Sequence, residues 1–400
     1  SIGGTEIYVQ ALAQELIDQG HQVSVVIPSD KNSTRVVGKV VVDEISLPRF
    51  TVFLANTKVE VVHAHPLITN PFNSFLDECK QSGIPIVVTY HTPTLSCGRG
   101  DLILNGDTIC DGVIRQRRCT VCIMQEKGLP VLIGKMVAAL PGLGSLETIM
   151  PVRKISSLFS IPRLVQQHYE SWQRLVGLTD QWIAVSKWVR RVLELNGVSS
   201  DQITVIRQAL CHKQQREEID SVASNGLKVG FVGRIHPHKG LHILLEALRY
   251  LPQFKIEVHI AGNTQDLSEA YRKKLDSVSR GEQRIKWWGQ QRPDEIYSFL
   301  SKMDVLVVPS LWMESGPMTV LEAWAAGIPI IGSDLGGIRE WVNDYGGGLL
   351  FPPGDTRSLA KILGQFVEGK SSIDLPSCNR LPTMNLVAKH MVVVYKKIVA

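Results

Sequence analysis

The stretch Glu314-Ser-Gly-Pro-Met-Thr-Val-Leu-Glu322 lies between two short apolar runs, 304–309 and 328–332, that have the composition of buried strands. Gly316 and Pro317 predict the start of a helix, because the N–H that proline lacks would have no partner in the first helical turn. Free N–H groups at a helix start bind phosphate. A carboxylate beside them can accept hydrogen bonds from a sugar or ribose diol. Phosphate and diol together predict a sugar-nucleotide site.

The composition is that of a globular protein with well-developed cores. The 400 residues are 44% hydrophobic and 20% charged, which predicts two domains of about 200 residues each. The net charge of +5 suits an anionic substrate or an acidic membrane surface, and it does not indicate nucleic acid as a partner. No signal peptide and no apolar run of transmembrane length is visible. We therefore expect a cytoplasmic protein.

Strand and helix patterns alternate in both halves, which is typical of parallel sheets covered on both faces. We predict two Rossmann-like, doubly wound α/β domains that face each other across a cleft, the first over 1–211 and the second over 226–383. The polar stretch 212–225 is the predicted linker. The chain opens at Ser1, without Met and directly before a helix pattern, so we expect that the first strand of the first domain is missing from this numbering.

Two basic residues follow a predicted strand at 228–233. Arg234 and Lys239 would lie at the carboxyl edge of the sheet, where open α/β sheets bind ligands. Two cations there would balance the two charges of a diphosphate, and arginine could contact it with two hydrogen bonds. The alternative is a pair of solvated basic residues on a loop.

These motifs together resemble glycosyltransferase family 4 of the GT-B fold. The resemblance is carried by Gly233-Arg234 with Lys239-Gly240, by the two glutamates 314 and 322, and by Gly3-Gly4-Thr-Glu6. Further matches in the expected order run through most of the chain: Val62-His-Ala-His65, Thr89-Tyr-His91, Ala184-Val-Ser186, Gly336-Gly-Ile-Arg-Glu340 and Gly348-Leu-Leu-Phe-Pro-Pro-Gly-Asp355.

The resemblance implies a retaining, hexosyltransferase-like enzyme that moves a sugar from a nucleotide-sugar donor to an acceptor, in glycan, polysaccharide or glycolipid biosynthesis. It implies that the second domain holds the donor and that a terminal helix, 384–400, packs back on the first domain. The implied donor contacts are Glu322 to the ribose, Glu314 to the transferred sugar, Arg234 and Lys239 to the diphosphate, the N–H groups of Gly316, Met318 and Thr319 to the same phosphates, and Gly3 and Gly4 from across the cleft. No Asp-x-Asp element stands out, so we expect no catalytic metal.

One departure from the family pattern lies near the domain junction. The chain has Ile206-Arg-Gln-Ala-Leu210 where the family usually shows Pro-Asn-Gly-Val. This difference leaves the hinge geometry open, and we expect it to lie away from the donor contacts.

Histidines follow two predicted strands of the first domain. His91 could position the acceptor or the transferred sugar, so it is a candidate catalytic residue, and a structural hydrogen bond is equally compatible with its place. His63 and His65 share a face at a strand end, but no third ligand lies beside them in the sequence, so a metal site there is not expected.

Four of the seven cysteines, Cys97, Cys110, Cys119 and Cys122, lie in one short segment rich in Gly, Asp and Arg. Their spacing favours a structural zinc site of four thiolates. An iron–sulfur cluster is a less favoured use of the same ligands, and free thiols or a disulfide are the alternative. Because the segment has few apolar residues of its own, we expect the metal to be what folds it.

Residues 128–177 are helical in pattern and unusually apolar, with basic residues nearby. Packing against the first sheet is the favoured interpretation, and a peripheral contact with the inner face of the membrane is the other. The acceptor could then be a carbohydrate or a lipid-linked intermediate. Two other functions stay open: an epimerase or hydrolase of nucleotide sugars on the same scaffold, and a non-catalytic module that binds a sugar nucleotide or recruits a partner through its cysteines.

Overall fold

The computed structural model describes residues 4–66, 72–106, 108–139, 160–210, 226–265, 267–370, 373–377 and 380–399. The chain divides into two compact units. The first unit comprises Ser1–Arg207 with Met384–Ala400, and the second comprises Gln208–Thr383. Both units contain parallel sheets and helices, so the predicted α/β class with two Rossmann-like halves is confirmed. The predicted linker, 212–225, lies outside the described residues.

The first unit contains a four-stranded, all-parallel sheet in the order β4-β5-β8-β9. A three-stranded sheet, β1-β3-β2, lies before it in the chain, with β2 antiparallel to β3. β6 and β7 form a short antiparallel hairpin. The strands are β1 (Ser24–Pro28), β2 (Ser33–Val37), β3 (Val40–Ile45), β4 (Val62–Ala64), β5 (Ile86–Tyr90), β6 (Ile103–Leu104), β7 (Thr108–Ile109), β8 (Gln181–Ala184) and β9 (Ile203–Val205).

Several helices of the first unit pack against the four-stranded sheet. Every residue of β5 and β8 is buried, as expected for parallel strands with helices on both faces. Trp172 and Trp182 pack in contact within this core, and both are fully buried. The helices are α1 (Gly4–Asp18), α2 (Leu47–Asn56), α3 (Phe72–Gln81), α4 (Gln116–Glu126), α5 (Val131–Ala139), α6 (Ile161–Leu178) and α7 (Lys187–Leu195).

The last described helix, Met384–Val399, belongs to the first unit. It lies beside α1, where Gln19 donates to the Asn385 carbonyl at 3.3 Å and Asn385 donates to Glu15 at 3.2 Å. Among the helices that the structure describes, none is long and apolar enough to cross a membrane.

The second unit is a six-stranded, all-parallel sheet in the order β12-β11-β10-β13-β14-β15. Within the unit, this is the strand order 3-2-1-4-5-6 of a doubly wound nucleotide-binding domain. The strands are β10 (Leu227–Val232), β11 (Ile256–Ala261), β12 (Ile285–Gly289), β13 (Val305–Val308), β14 (Ile330–Ser333) and β15 (Gly348–Phe351).

Helices cover both faces of this sheet, and each face has its own apolar core. One core lies around α8 and β11, and the other lies around α11 and α12 and includes the buried Trp324 and Trp341. The helices are α8 (Leu241–Leu248), α9 (Glu269–Ser279), α10 (Ile296–Leu300), α11 (Met318–Ala325), α12 (Gly336–Tyr345) and α13 (Thr356–Val367), and the terminal helix of the first unit, Met384–Val399, is α14.

Candidate functional site

The donor residues predicted in the second unit lie near the point where its strand order reverses. β10 and β13 are paired at the centre of the sheet, and the chain leaves the carboxyl end of each strand in a loop. Such a reversal opens a crevice between the two loops, which is where doubly wound sheets bind their ligands. The loop after β10 carries Arg234 and Lys239, and the loop after β13 carries Glu314 and Gly316.

A close backbone contact fixes the two loops against each other. The N–H of Leu311 donates to the His238 carbonyl at 2.7 Å. Gly240 adopts a left-handed conformation with φ of +71°, and a Cβ on it would lie only 1.9 Å from the Pro309 carbonyl oxygen. Glycine is therefore required at 240 both by the backbone conformation and by the approach of the second loop. Lys239 is held next to that contact.

Lys239 and Glu314 form a partly buried ion pair. The Lys239 Nζ lies 2.7 Å from Glu314 Oε1, and the Ser310 hydroxyl donates to the same oxygen at 2.7 Å. The Glu314 side chain is only 8% exposed. Burial raises the pKa of Glu314, but the Lys239 ammonium and the Ser310 hydroxyl more than offset this, so the pKa lies below its usual value. The carboxyl is therefore ionised at neutral pH.

The side chain of Lys239 also contacts an aromatic ring. Its Nζ lies 5.4 Å from the centre of the Trp312 ring, whose other neighbour is the His238 imidazole, stacked at 5.9 Å. The ammonium thus has an aromatic face and a carboxylate as partners, and 23% of the lysine side chain stays exposed. That exposed part is where an anion can reach it.

Helix α11 begins at Met318, directly after Pro317. The N–H groups of Met318 and Thr319 belong to the first turn, where a helix has no acceptors for them. The loop before the helix packs closely on α12, because the Gly337 N–H donates to the Glu314 carbonyl at 2.7 Å. These contacts place Gly316, Met318 and Thr319 at one helix end that favours negative charge.

Glu322 lies one turn inside α11 and is partly buried. Burial raises the pKa of Glu322 to about 7. The carboxyl is therefore divided between its neutral and ionised forms near neutral pH, and a ligand that donates hydrogen bonds to it would favour the ionised form. The exposed Arg234 follows Gly233 at the carboxyl end of β10. The structure thus brings Lys239 and Glu314 into contact, and it places Arg234 and Glu322 on the same two strand–loop–helix segments.

Gln208 is a residue of this region that we did not predict from the sequence. It belongs to the departure 206–210, which we expected to lie away from the donor contacts. In the structure a Cβ on Gly316 would lie 2.5 Å from Gln208 Oε1, so the carboxamide lies directly against the loop before α11. The only sequence signal was that the family pattern changes here.

The first unit brings three histidines together at the carboxyl ends of β4 and β5. His65 Nδ1 and His91 Nε2 share a hydrogen bond of 2.8 Å. His63 bonds through Nδ1 to the Tyr395 hydroxyl at 2.6 Å and through Nε2 to the Thr89 hydroxyl at 2.7 Å. Burial lowers the pKa of His63 to about 3 and that of His91 to about 4, so both are neutral near pH 7. Gly4 begins α1, and Gly3 lies outside the described residues.

The predicted zinc site is wrong. Among the residues that the structure describes, no group of three or more His, Cys, Asp or Glu side chains is placed to hold a metal ion. Cys97, Cys110, Cys119 and Cys122 are free thiols. The same finding removes the iron–sulfur alternative.

The prediction failed because it assumed that residues 97–122 had no core of their own. Leu102 and Ile103 are buried, and ion pairs join Arg99 to Asp101 and Arg118 to Asp111. The buried Asn196 at the end of α7 then holds the segment by two hydrogen bonds. It accepts from the Ile114 N–H at 2.9 Å and donates to the Gly112 carbonyl at 2.8 Å. A third bond, to the Val192 carbonyl at 2.8 Å, anchors the Asn196 side chain to its own helix.

The contact at Gly240 generates the first testable prediction. Gly240→Ala should destabilise the second unit by at least about 3 kcal/mol, because it adds a clash with the Pro309 carbonyl to the strain of a left-handed alanine. Gly281→Ala is the matched control. Gly281 has a similar φ of +75° but no atom within 4 Å of the added Cβ, so it should cost only about 1 kcal/mol. Urea denaturation of the two variants measures both values, and equal costs would contradict the proposed contact.

Two family models match the chain. The model for glycosyl transferases group 1 matches residues 213–381, and the model for Glycosyltransferase Family 4 matches residues 2–106. Together they reach both halves of the chain, including the Lys239–Glu314 pair in one match and the histidines 63, 65 and 91 in the other.

Curated relatives are similar over part of their length. The amylovoran biosynthesis glycosyltransferase of Erwinia amylovora is 28% identical over 217 residues, which are 52% of this chain and 53% of that relative. The D-inositol 3-phosphate glycosyltransferase of Corynebacterium urealyticum is 31% identical over 146 residues, which are 35% of this chain and 34% of that relative. The matches thus span about half or less of the length of these relatives.

Solved structures share the fold over nearly the whole chain. Sucrose-phosphate synthase from Thermosynechococcus elongatus has a TM-score of 0.66 at 17% identity, covering 99% of this chain and 94% of that one. The Anabaena protein HepE, solved in complex with UDP-glucose, has a TM-score of 0.57 at 15% identity, covering 100% and 95%. The solved structures show the shared fold. Because the two family models match in both halves of the chain, the chain belongs to the family 4-like glycosyltransferases.

Proposed function

We propose that the chain is a retaining, hexosyltransferase-like glycosyltransferase that takes a sugar from a nucleotide-sugar donor. The observation that carries this proposal is the Lys239–Glu314 pair beside the start of α11, with Glu322 one turn further along the helix. A cation and free N–H groups suit a diphosphate, and two carboxylates suit the hydroxyls on either side of it. The biosynthetic role of relatives such as the amylovoran enzyme supports a polysaccharide or glycolipid product.

The proposed mechanism is stabilisation of the leaving group. Breaking the bond between the sugar and the diphosphate builds negative charge on the diphosphate and positive charge on the sugar ring. Lys239, Arg234 and the N–H groups at the start of α11 would stabilise the first charge. The ionised Glu314, held by Ser310, would lie on the side of the transferred sugar. Because the loops that carry Lys239 and Glu314 are already fixed against each other at Gly240, little reorganisation of this pair is needed during the reaction.

The proposed acceptor is a carbohydrate or a lipid-linked intermediate. His91 is buried at the end of β5 and held by His65, so its imidazole has a fixed orientation. We assign it the positioning of the acceptor or of the transferred sugar.

Glu322 gives the second prediction, which tests donor binding. A nucleotide sugar has a diphosphate esterified at both ends, so the ligand itself does not titrate near pH 7. Because the pKa of Glu322 is about 7, donor affinity in the wild type should be up to about tenfold weaker at pH 6 than at pH 8. Glu322→Gln should bind the donor weakly at both pH values and lose at least about tenfold in transfer rate.

Isothermal titration with UDP-, GDP- and ADP-hexoses at the two pH values measures this difference. The exposed Glu368 lies in the same unit, and Glu368→Gln should behave as the wild type. Full pH dependence in Glu322→Gln would show that the ribose contact is assigned to the wrong group. A free sugar or an isomerised nucleotide, formed without any acceptor, would instead favour the hydrolase or epimerase alternative.

We also propose a peripheral contact with the inner, cytoplasmic face of the membrane through α5. Leu132 and Met136 of this helix are 70% and 60% exposed, and Ile133 is 45% exposed. The basic Lys135 lies on the same helix. Exposed apolar side chains with a cation beside them suit the headgroup region of an anionic bilayer. Such a contact would bring a lipid-linked acceptor to the protein.

The third prediction tests this contact by flotation with vesicles that contain anionic phospholipid. The wild type should float with the vesicles, and the double variant Leu132→Gln, Met136→Gln should lose most of this binding. The matched control is Val36→Gln, Val52→Gln, which removes two equally exposed apolar side chains elsewhere in the first unit. Equal flotation of both double variants and the wild type would count against α5 as the contact.

A further inference from the structure

Gln208 occupies a fixed position at the start of the second unit. The side chain is 9% exposed. Two residues later, the Leu210 N–H donates to the Pro382 carbonyl at 3.3 Å, and Leu210 pairs with Thr383 as an isolated bridge. The backbone next to Gln208 is therefore held by hydrogen bonding, and its carboxamide is a buried group and not a surface group.

The carboxamide lies against the loop that precedes α11. A Cβ on Gly316 would lie 2.5 Å from Gln208 Oε1 and 3.0 Å from Cδ. Gly316 has no positive φ in this structure, so the backbone conformation alone does not require glycine there. The close approach of Gln208 does, because any larger side chain at 316 would displace the carboxamide.

The oxygen of this carboxamide has no hydrogen-bond partner. Within the described part of the chain, Gln208 Oε1 is removed from solvent and receives no hydrogen bond. A buried acceptor without a donor is costly, and such groups in native proteins call for a specific explanation, of which a missing ligand is one. This oxygen lies at the loop proposed to contact the nucleotide sugar. The nucleotide sugar is therefore the ligand to consider.

The chemistry of the nucleotide sugar limits which of its groups can form a hydrogen bond with this oxygen. Phosphate oxygens are acceptors and cannot donate a hydrogen bond to Gln208 Oε1, whereas a hydroxyl group can. The ribose hydroxyls are assigned to Glu322, which lies four residues after the first residue of α11, about 6 Å along the helix. The base also carries N–H donors, but it is attached to the ribose on the side away from the diphosphate. With the ribose at Glu322 and the diphosphate at the start of α11, the hydroxyls of the transferred sugar are the donors expected near the Gly316 loop.

We propose that Gln208 is a specificity-determining residue of the donor site, and that its carboxamide oxygen accepts a hydrogen bond from a hydroxyl of the transferred sugar. This inference rests on the proposed function. It assigns a role to a residue in the segment at which the chain departs from the family pattern. Gln208 would contribute to recognition of the transferred sugar and not to recognition of the nucleotide.

The test compares nucleotide sugars with the bare nucleoside diphosphates. Gln208→Leu removes the unpaired oxygen with little change in size, and Gln208→Met is a second variant of similar length should the first not fold. In both, the melting temperature without ligand should equal or exceed that of the wild type, because a buried unpaired acceptor is gone. The dissociation constant of the preferred UDP-, GDP- or ADP-hexose should rise at least about tenfold, while that of the matching UDP, GDP or ADP stays within about twofold.

Deoxy analogues of the preferred donor identify the hydroxyl. One deoxy sugar should bind the wild type about as weakly as the intact donor binds Gln208→Leu, and Gln208→Leu should not discriminate between the two ligands. Equal weakening of nucleotide sugar and nucleoside diphosphate would show that Gln208 only supports the loop, and this would overturn the inference. A lower melting temperature with unchanged sugar binding would also overturn it. If the wild type binds the nucleoside diphosphates but no nucleotide sugar, the proposed function itself fails, and the wild-type titrations alone reveal this.

Discussion

The ion pair between Lys239 and Glu314 is the interaction on which the candidate site depends. Taking two opposite charges out of water is expensive, and it is tolerated only where the geometry is good and further hydrogen bonds are made. Here the Ser310 hydroxyl supplies the further hydrogen bond, and the Trp312 ring lies against the ammonium. Gly240 packs closely against the Pro309 carbonyl, and this contact keeps the two loops close enough for the ion pair to form. The loops, the start of α11 and the pair are thus one structural unit.

The positive charge proposed to bind the ligand is a local property of Lys239 and does not depend on the net charge of the chain. The whole chain carries only +5, and within the pair the charges of Lys239 and Glu314 cancel. A diphosphate would bind beside the Lys239 ammonium, whose partner, the Glu314 carboxylate, is held in place by burial and by the loop contacts. The cation is therefore oriented before the ligand arrives, which is the condition under which charged groups stabilise a leaving group most effectively.

Much of the fold could be predicted because buried parallel strands are continuous apolar runs, as in β10 and β13. The motif residues Arg234, Lys239 and Glu314 could be found because they lie in the loops that follow these apolar runs. The contact between Lys239 and Glu314 could not be predicted, because the two residues are 75 positions apart and only the strand order brings their loops together. Gln208 was missed because its neighbour, Gly316, is more than one hundred residues away. The cysteine segment was misjudged because its own buried residues were overlooked and because its hydrogen-bond partner, Asn196, lies 82 positions from Ile114.

The role of the Lys239–Glu314 pair is best tested by measuring how nucleoside diphosphates bind to variants of the pair. Isothermal titration should compare the wild type with Lys239→Met and with the double variant Lys239→Met, Glu314→Gln, which leaves no buried charge unpaired. The exposed Lys286 of β12 provides the control Lys286→Met. We expect that one of UDP, GDP and ADP binds the wild type and the control equally, and binds both Lys239 variants at least about 100-fold more weakly. Unchanged binding in the folded double variant would show that the pair does not hold the diphosphate.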